Sequence, residues 1–262
     1  MESNRRKAGR DTRSRTQAHR PLTNDSLSLS LSLSLSLSPI FNQDDNDSND
    51  AEPGNGNKEN ILFNIIYTNA RSICPKINSL IDCFQETDSA IAIVTETWLS
   101  DGPSLEQDLR DLELGAVLQF LCRNRRPNHC GQAHGGVVIV SKKTRLTLSV
   151  MNIPNPDNFE VLVGTRKIVG LSRKLAVISA YIPPGYTTAK GKGAVNYIKV
   201  CIKRKYRDPY IILAGDFNQW NIQEAVEDYL DIKEALVGPT RGNKTIDKIF
   251  SNLHQITLAT TL

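Results

Sequence analysis

The stretch YIILAGDFN, residues 210–218, sets a β-favouring apolar run against a Gly-Asp-Phe-Asn turn. The run predicts a strand from Tyr210 to Ala214. Asp216 and Asn218 suit an Asx turn on their own backbone, and they are also oxygen donors where a chain leaves a sheet, the place where sites are usually assembled. The same layout recurs. A strand predicted from Ile61 to Thr68 ends in TNAR, one from Ala90 to Thr95 in TETWL, and one from Lys174 to Tyr181 runs into AYIPP. Another, Ile246 to Ser251, is interrupted by Asp247. Gly136 to Ser141 and Phe159 to Val163 complete the set. Ile73, Ile77, Leu80, Ile81 and Phe84 recur at helical spacing, with Pro75 tolerable in the first turn, and a weaker helix is read from Val195 to Tyr206. Strands with long irregular connections and interspersed helices predict an α/β (α+β) fold of two packed sheets flanked by helices, not an alternating βαβ barrel.

Before Asn60 the texture is different. Residues 1 to 20 carry a net charge of +5 with almost nothing apolar, which reads as a disordered basic arm. Ser26 to Ser38 alternate Ser and Leu without interruption. The tract has strand period in form, but it reads as a translated dinucleotide repeat and not as a strand. Residues 41 to 60 are acidic, Asn-rich and broken by Gly and Pro, as linkers are. Residues 1–60 are therefore expected to be disordered and residues 61–262 to form one domain. That domain carries +5, mildly basic, which suits a polyanionic partner without requiring one. Five cysteines without a CxxC pair argue against a disulfide scaffold and a zinc cage. No run of about eighteen apolar residues suggests a membrane span, and the start lacks a signal-peptide pattern, so a nuclear or cytoplasmic protein is expected.

Glu96, Asp216, Asn69, Asn218 and Asp247 together form a set of hard oxygen ligands, suited to Mg²⁺ or Mn²⁺ and not to zinc. Each has a plainer explanation: Glu96 as a cap or a partner of Arg71, Asp247 as an outward residue on an edge strand, Tyr181 as a core or rim aromatic. It is the ordered set that carries weight. His129, Cys130 and His134 lack standard ligand spacing and are not read as a zinc site.

In order, N-x-R, TETWL, GGVVIVSK, AY-x-PP, GDFN and T-x-D-x-IF resemble the endonuclease/exonuclease/phosphatase family. TETWLSDG, HGGVVIVSK and PTR-x-x-x-TID-x-IFSN resemble more narrowly the endonuclease domain of non-LTR (LINE-type, jockey-like) retrotransposon polyproteins. The resemblance spans Ile61 to Leu262. It implies a four-layer sandwich, two mixed sheets with helices outside, and a divalent-metal phosphodiesterase site at one rim acting on DNA. Glu96 matches the family's metal-binding glutamate and Asn69 the asparagine beside it. Asp216 matches the aspartate that orients or deprotonates the attacking water, Asn218 the asparagine that holds a phosphate oxygen, Tyr181 a phosphate-contacting tyrosine, and Asp247 the aspartate that orients a catalytic histidine. Arg71, Thr240 and Arg241 are carried over as DNA contacts. Both Glu96 and Asp216 are expected on an open rim, where replacement by alanine would spare the fold.

The family pattern also contains a late Ser-Asp-His motif. This chain ends SNLHQITLATTL, and His254 is a poor substitute, so the domain reads as truncated, with the last strand missing and a sheet edge left unpaired. The functional expectation is a Mg²⁺-dependent endonuclease nicking target DNA to prime reverse transcription, impaired by the truncation. The alternatives are a non-catalytic remnant that binds nucleic acid weakly, and a phosphatase or phospholipase of the same fold.

Overall fold

A computed structural model describes residues 30–37, 61–99, 117–123, 135–154, 159–168, 173–185, 187–218, 220–235, 246–253 and 256–261. In chain order the elements are β1 (Ser30–Leu37), β2 (Ile61–Asn69), a 3₁₀ turn (Cys74–Lys76), α1 (Ile77–Glu86), β3 (Ile91–Thr95), β4 (Leu118–Arg123), β5 (Val137–Lys142), β6 (Ser149–Met151), β7 (Glu160–Lys167), β8 (Lys174–Tyr181), α2 (Thr188–Lys205), β9 (Tyr210–Asp216), α3 (Gln223–Leu230), β10 (Lys233–Glu234), β11 (Asp247–Ser251) and β12 (Ile256–Thr261). One sheet has the order β12-β1-β2-β3-β5-β4 and the other β10-β11-β9-β8-β7-β6. Both are mixed: β2–β3 and β8–β9 are parallel and the remaining pairs antiparallel.

Strand periodicity explains why the apolar runs are continuous instead of alternating. In β3, Ile91 and Ile93 face the second sheet, whereas Ala92 and Val94 pack with Leu80 and Phe84 of α1. In β9, Ile212 and Ala214 face the first sheet, whereas Ile211 and Leu213 pack under α2 and α3 with Ile198 and Val226. β3 and β9 are thus covered on both faces, and the layers run α1, sheet, sheet, α2 with α3. This is the expected four-layer sandwich. Each aliphatic side chain taken wholly from water contributes roughly 1.5–3 kcal/mol, so the three apolar interfaces carry the fold.

The Ser-Leu tract departs from expectation. Ser30–Leu37 forms β1, paired antiparallel to β2 from Leu31 opposite Tyr67 to Leu37 opposite Ile61, and to β12 from Ser30 opposite Thr261 to Leu35 opposite Ile256. A repeat of period two satisfies strand geometry whatever its coding origin, and an uncovered edge of β2 is a template for it. Ser30–Leu37 lies within the region expected to be disordered, and it covers the edge of β2. One further strand, β12, follows β11 and lies outside β1.

Helix α2 begins seven residues before the expected Val195, capped by the Thr187 hydroxyl, which accepts from the Lys190 amide at 3.4 Å. Its two early glycines hid this turn from a propensity reading. At Gly191 a Cβ would lie 2.4 Å from the Trp220 ring, so close helix packing requires the residue that weakens the helix. β4, β6, β10 and α3 were also not read from the sequence, being short or weakly periodic.

Candidate active site

The residues that face the opposite sheet at the strand ends converge on one rim. On the second sheet, cross-strand register sets Glu160 opposite Tyr181, Tyr181 beside Asp216, and Asp216 opposite Asp247. On the first, Asn69 lies beside Thr95. All share the strand face of an apolar neighbour in the core between the sheets: Asp216 that of Ala214, Asn69 that of Tyr67, Asp247 that of Ile249.

Two hydrogen bonds tie the sheets together here. Asn69 Nδ2 donates to Asp216 Oδ2 at 2.8 Å, and Tyr67 Oη donates to Asp247 Oδ1 at 2.6 Å. The other Asp216 oxygen accepts from the Asn218 backbone amide at 2.9 Å. Asn218 sits at φ 51°, and its side-chain amide donates to the Ile182 carbonyl at 2.7 Å. The Asx turn anticipated for GDFN is therefore present, and it fixes the carboxylate instead of competing with a site. Asp216 is only 1% exposed, not on an open rim as expected, because the two sheets close over it. Asp247 is 7% exposed and lies on the core-facing side of β11 with Ile249, so it is not an outward residue.

Glu96 leaves β3 at φ 50°, followed by Trp98 at φ 52°; Arg71 and Ser72 at the end of β2 are also left-handed. Such non-glycine conformations cost of order 1–3 kcal/mol each and persist only when neighbours over-determine them. Here backbone bonds do so from both sides. The Ser72 amide donates to the Glu96 carbonyl at 2.8 Å, and the Trp98 amide donates to the Gly135 carbonyl at 2.8 Å. Gly136, at φ 85°, could not be another residue, since a Cβ would lie 2.4 Å from Thr97 Oγ1. Glu96 and Asn69 are half-buried and Arg71 is exposed. Thr240 and Arg241 lie outside the described residues, as do His129, Cys130, His134 and His254.

Three participants were missed in the sequence. Glu160, 2% exposed, accepts from the Gly136 amide at 2.5 Å, so the second sheet pins the turn that holds Thr97 and Trp98. Only its pairing opposite Tyr181 reveals it, which no local pattern shows. Tyr67 and Thr95 lie 2.9 Å apart through their hydroxyls; Tyr67, two before Asn69, could have been found by parity, whereas Thr95, one before Glu96, falls on the opposite parity and carries no such signal.

Tyr67 holds its proton well above the ordinary tyrosine value of 10.0: burial is the main cause, followed by the negative charges of Asp247 and Asp216. A folded-state pKa raised above the unfolded one gives stability that is fully present below pH about 10 and lost as pH rises beyond it. Unfolding titrations should therefore show an alkaline loss of stability. Tyr67→Phe should cost about 1–3 kcal/mol at neutral pH by removing a donor from a buried carboxylate, yet fall less steeply above pH about 10. Identical alkaline slopes for the two proteins would refute this.

As to a metal, Asn69 Oδ1 is a buried oxygen without a hydrogen-bond partner, beside a carboxylate, which fits a hard cation. Among the described residues no group of three His, Cys, Asp or Glu side chains could by itself enclose one. Carboxylate and carboxamide oxygens are the donor types that Mg²⁺ takes.

The sequence profile described as the Endonuclease/Exonuclease/phosphatase family matches residues 60–261. The chain belongs to that family. Enzymes of the endonuclease/exonuclease/phosphatase family generally use divalent metal ions. Among solved structures, the human Nocturnin catalytic domain with bound sulfate is 14% identical, with a TM-score of 0.55 over 71% of this chain and 78% of that one. A single-substitution variant of the 3′ phosphatase NExo from Neisseria, bound to product DNA hairpin, is 16% identical, with a TM-score of 0.51 over 71% and 85%. The 3′-5′ exonuclease NExo from Neisseria meningitidis is 17% identical, with a TM-score of 0.51 over 71% and 86%. At these identities the likeness shows the fold. No curated protein matches the chain. No helix among the described residues is long and apolar enough to cross a membrane.

Proposed function

We propose that this protein is a divalent-metal-dependent phosphodiesterase whose domain, residues 61–262, nicks DNA, in the manner of a retrotransposon endonuclease that frees a 3′-hydroxyl to prime reverse transcription. The observation that carries the reading is the Asn69–Asp216 hydrogen bond. It sets an oxygen lacking a hydrogen-bond partner beside a buried carboxylate that accepts from Asn69 and the Asn218 amide, where the strand ends of the two sheets converge.

Breaking a phosphodiester requires a nucleophilic water, a neutralised phosphate and a stabilised leaving oxygen. Glu96 and Asn69 would hold a Mg²⁺ or Mn²⁺ ion, which would supply charge neutralisation at the phosphate. Asp216, with one oxygen fixed by Asn69 and the other by the Asn218 amide, orients a water and takes its proton. Tyr181 presents its hydroxyl to a phosphate oxygen from the strand beside Asp216. Asn218 keeps one amide hydrogen beyond that given to Ile182, and turns it to the phosphate. Asp247 accepts from the neutral Tyr67 hydroxyl and so ties the floor of the site to the first sheet. Arg71, Thr240 and Arg241 contact the DNA backbone.

The test is nicking of supercoiled plasmid by the full chain. Open circles formed with Mg²⁺ and none with EDTA are expected. No nicking by folded protein in either Mg²⁺ or Mn²⁺ would sink the nuclease reading and leave a non-catalytic relative of the fold.

A further inference from the structure

Between residues 161 and 210 the chain carries eleven Lys or Arg and a single acid, Asp208, although the whole protein is only +4. The fold gathers much of this charge at the pole opposite the rim. β8 starts there with Lys174, directly across from Lys167 at the end of β7, and α2 arrives there with Lys203, Arg204 and Lys205 in its last turn. All five are exposed. Asp208 is occupied by Arg173, at 2.7 Å.

Part of this pattern has a local explanation: cations in the last turn of a helix complement its dipole. Lys167 and Lys174 do not. They lie at no helix end, and like charges directly opposite each other across two strands destabilise the sheet. Tyr206 reports the same field. Its ring lies 4.5 Å from the Lys174 ammonium and 5.6 Å from that of Lys205. Burial raises its pKa, yet the hydrogen bond with Thr165 and the charges of Lys205 and Lys174 outweigh burial and bring it below the ordinary tyrosine value.

The geometry points to this pole as a second surface for duplex DNA, gripping its phosphate backbone away from the rim. Seven strand rises, about 23 Å, separate Lys174 from Tyr181, so a segment on this pole is distinct from one at the rim. Duplex DNA presents one negative charge per about 1.7 Å of axis, a density that suits five exposed cations on a helix end and two strand ends. Single strands are held largely by base stacking on exposed aromatics. The aromatics here are covered by cations, Tyr206 by two lysines and Tyr210 by Arg173 at 4.4 Å, which favours the duplex backbone.

The surface is tested apart from the nuclease reading by measuring binding of a fluorescent duplex to the full chain in EDTA across a salt series. Two variants are compared with the natural protein, K203Q/R204Q/K205Q and K167Q/K174Q, with thermal melting to show that each is folded. Loss of about three and two phosphate contacts should make the slope of log K against log salt shallower by about 2.7 and 1.8. K167Q/K174Q should melt no lower than the natural protein, since it relieves a repulsion. Unchanged slopes in folded variants overturn the proposal, as does an equal loss of single-stranded RNA binding, which would mark a general polyanion surface. A failed plasmid-nicking assay alongside the expected shallower slopes in the variants would remove the nuclease reading and leave the DNA surface standing.

Discussion

Asp216→Asn reduces metal-dependent plasmid nicking by about 10²–10⁴-fold, the loss expected when a general base is removed, while leaving the protein folded. The choice of asparagine follows from burial. Asp216 accepts from Asn69 Nδ2 and the Asn218 amide at 1% exposure, so alanine would leave two donors without their acceptor, at about 1–3 kcal/mol each. Alanine would thus abolish cleavage through the fold as well as through the chemistry. Asparagine keeps an oxygen for the Asn218 amide. Its new NH₂ meets Asn69, whose amide can turn over so that Oδ1, lacking a hydrogen-bond partner in the natural protein, accepts from it. The measurement pairs nicking rate with the urea midpoint. Nicking above a tenth of the natural rate in a folded Asp216→Asn protein would mean that Asp216 is not the base.

Removing residues 1–57 costs the protein on the order of several kcal/mol. β1 registers with β2 over seven residue pairs and with β12 over six, so its loss bares the β2 edge and strands β12. At about 0.5–1.5 kcal/mol net per hydrogen bond, this is a large share of a typical stability of 5–15 kcal/mol. The bare edge also invites pairing with another chain. Expected are a lower urea midpoint, faster hydrogen exchange at Ile65, Ile66 and Tyr67, and association at higher concentration. Because a shift of two residues reproduces the Ser-Leu pattern, deleting one Ser-Leu pair from the tract should change little, whereas Leu33→Pro should approach the full deletion. Equal midpoints for the full and shortened chains would show that β1 contributes nothing.

The sequence by itself determined the strands that carry the site and their polar ends. Apolar runs closing in TN, TE, AY and GDFN are local patterns, and neither neighbour nor partner is needed to read them. Their order along the chain also carried the family. Parity along a strand told, in principle, which residues share a face, which is how Tyr67 could have been joined to Asn69. What only the tertiary structure decided is which faces meet. The burial of Asp216 follows from sheet closure, the partnership of Asp247 with Tyr67 spans 180 residues, and Glu160 acts through a turn that belongs to the other sheet. The Ser-Leu tract marks the same boundary from the other side. Its period allows a strand, but a strand of that kind exists only where an edge is offered to it, because the hydrogen bonds that make it lie between segments and not within one.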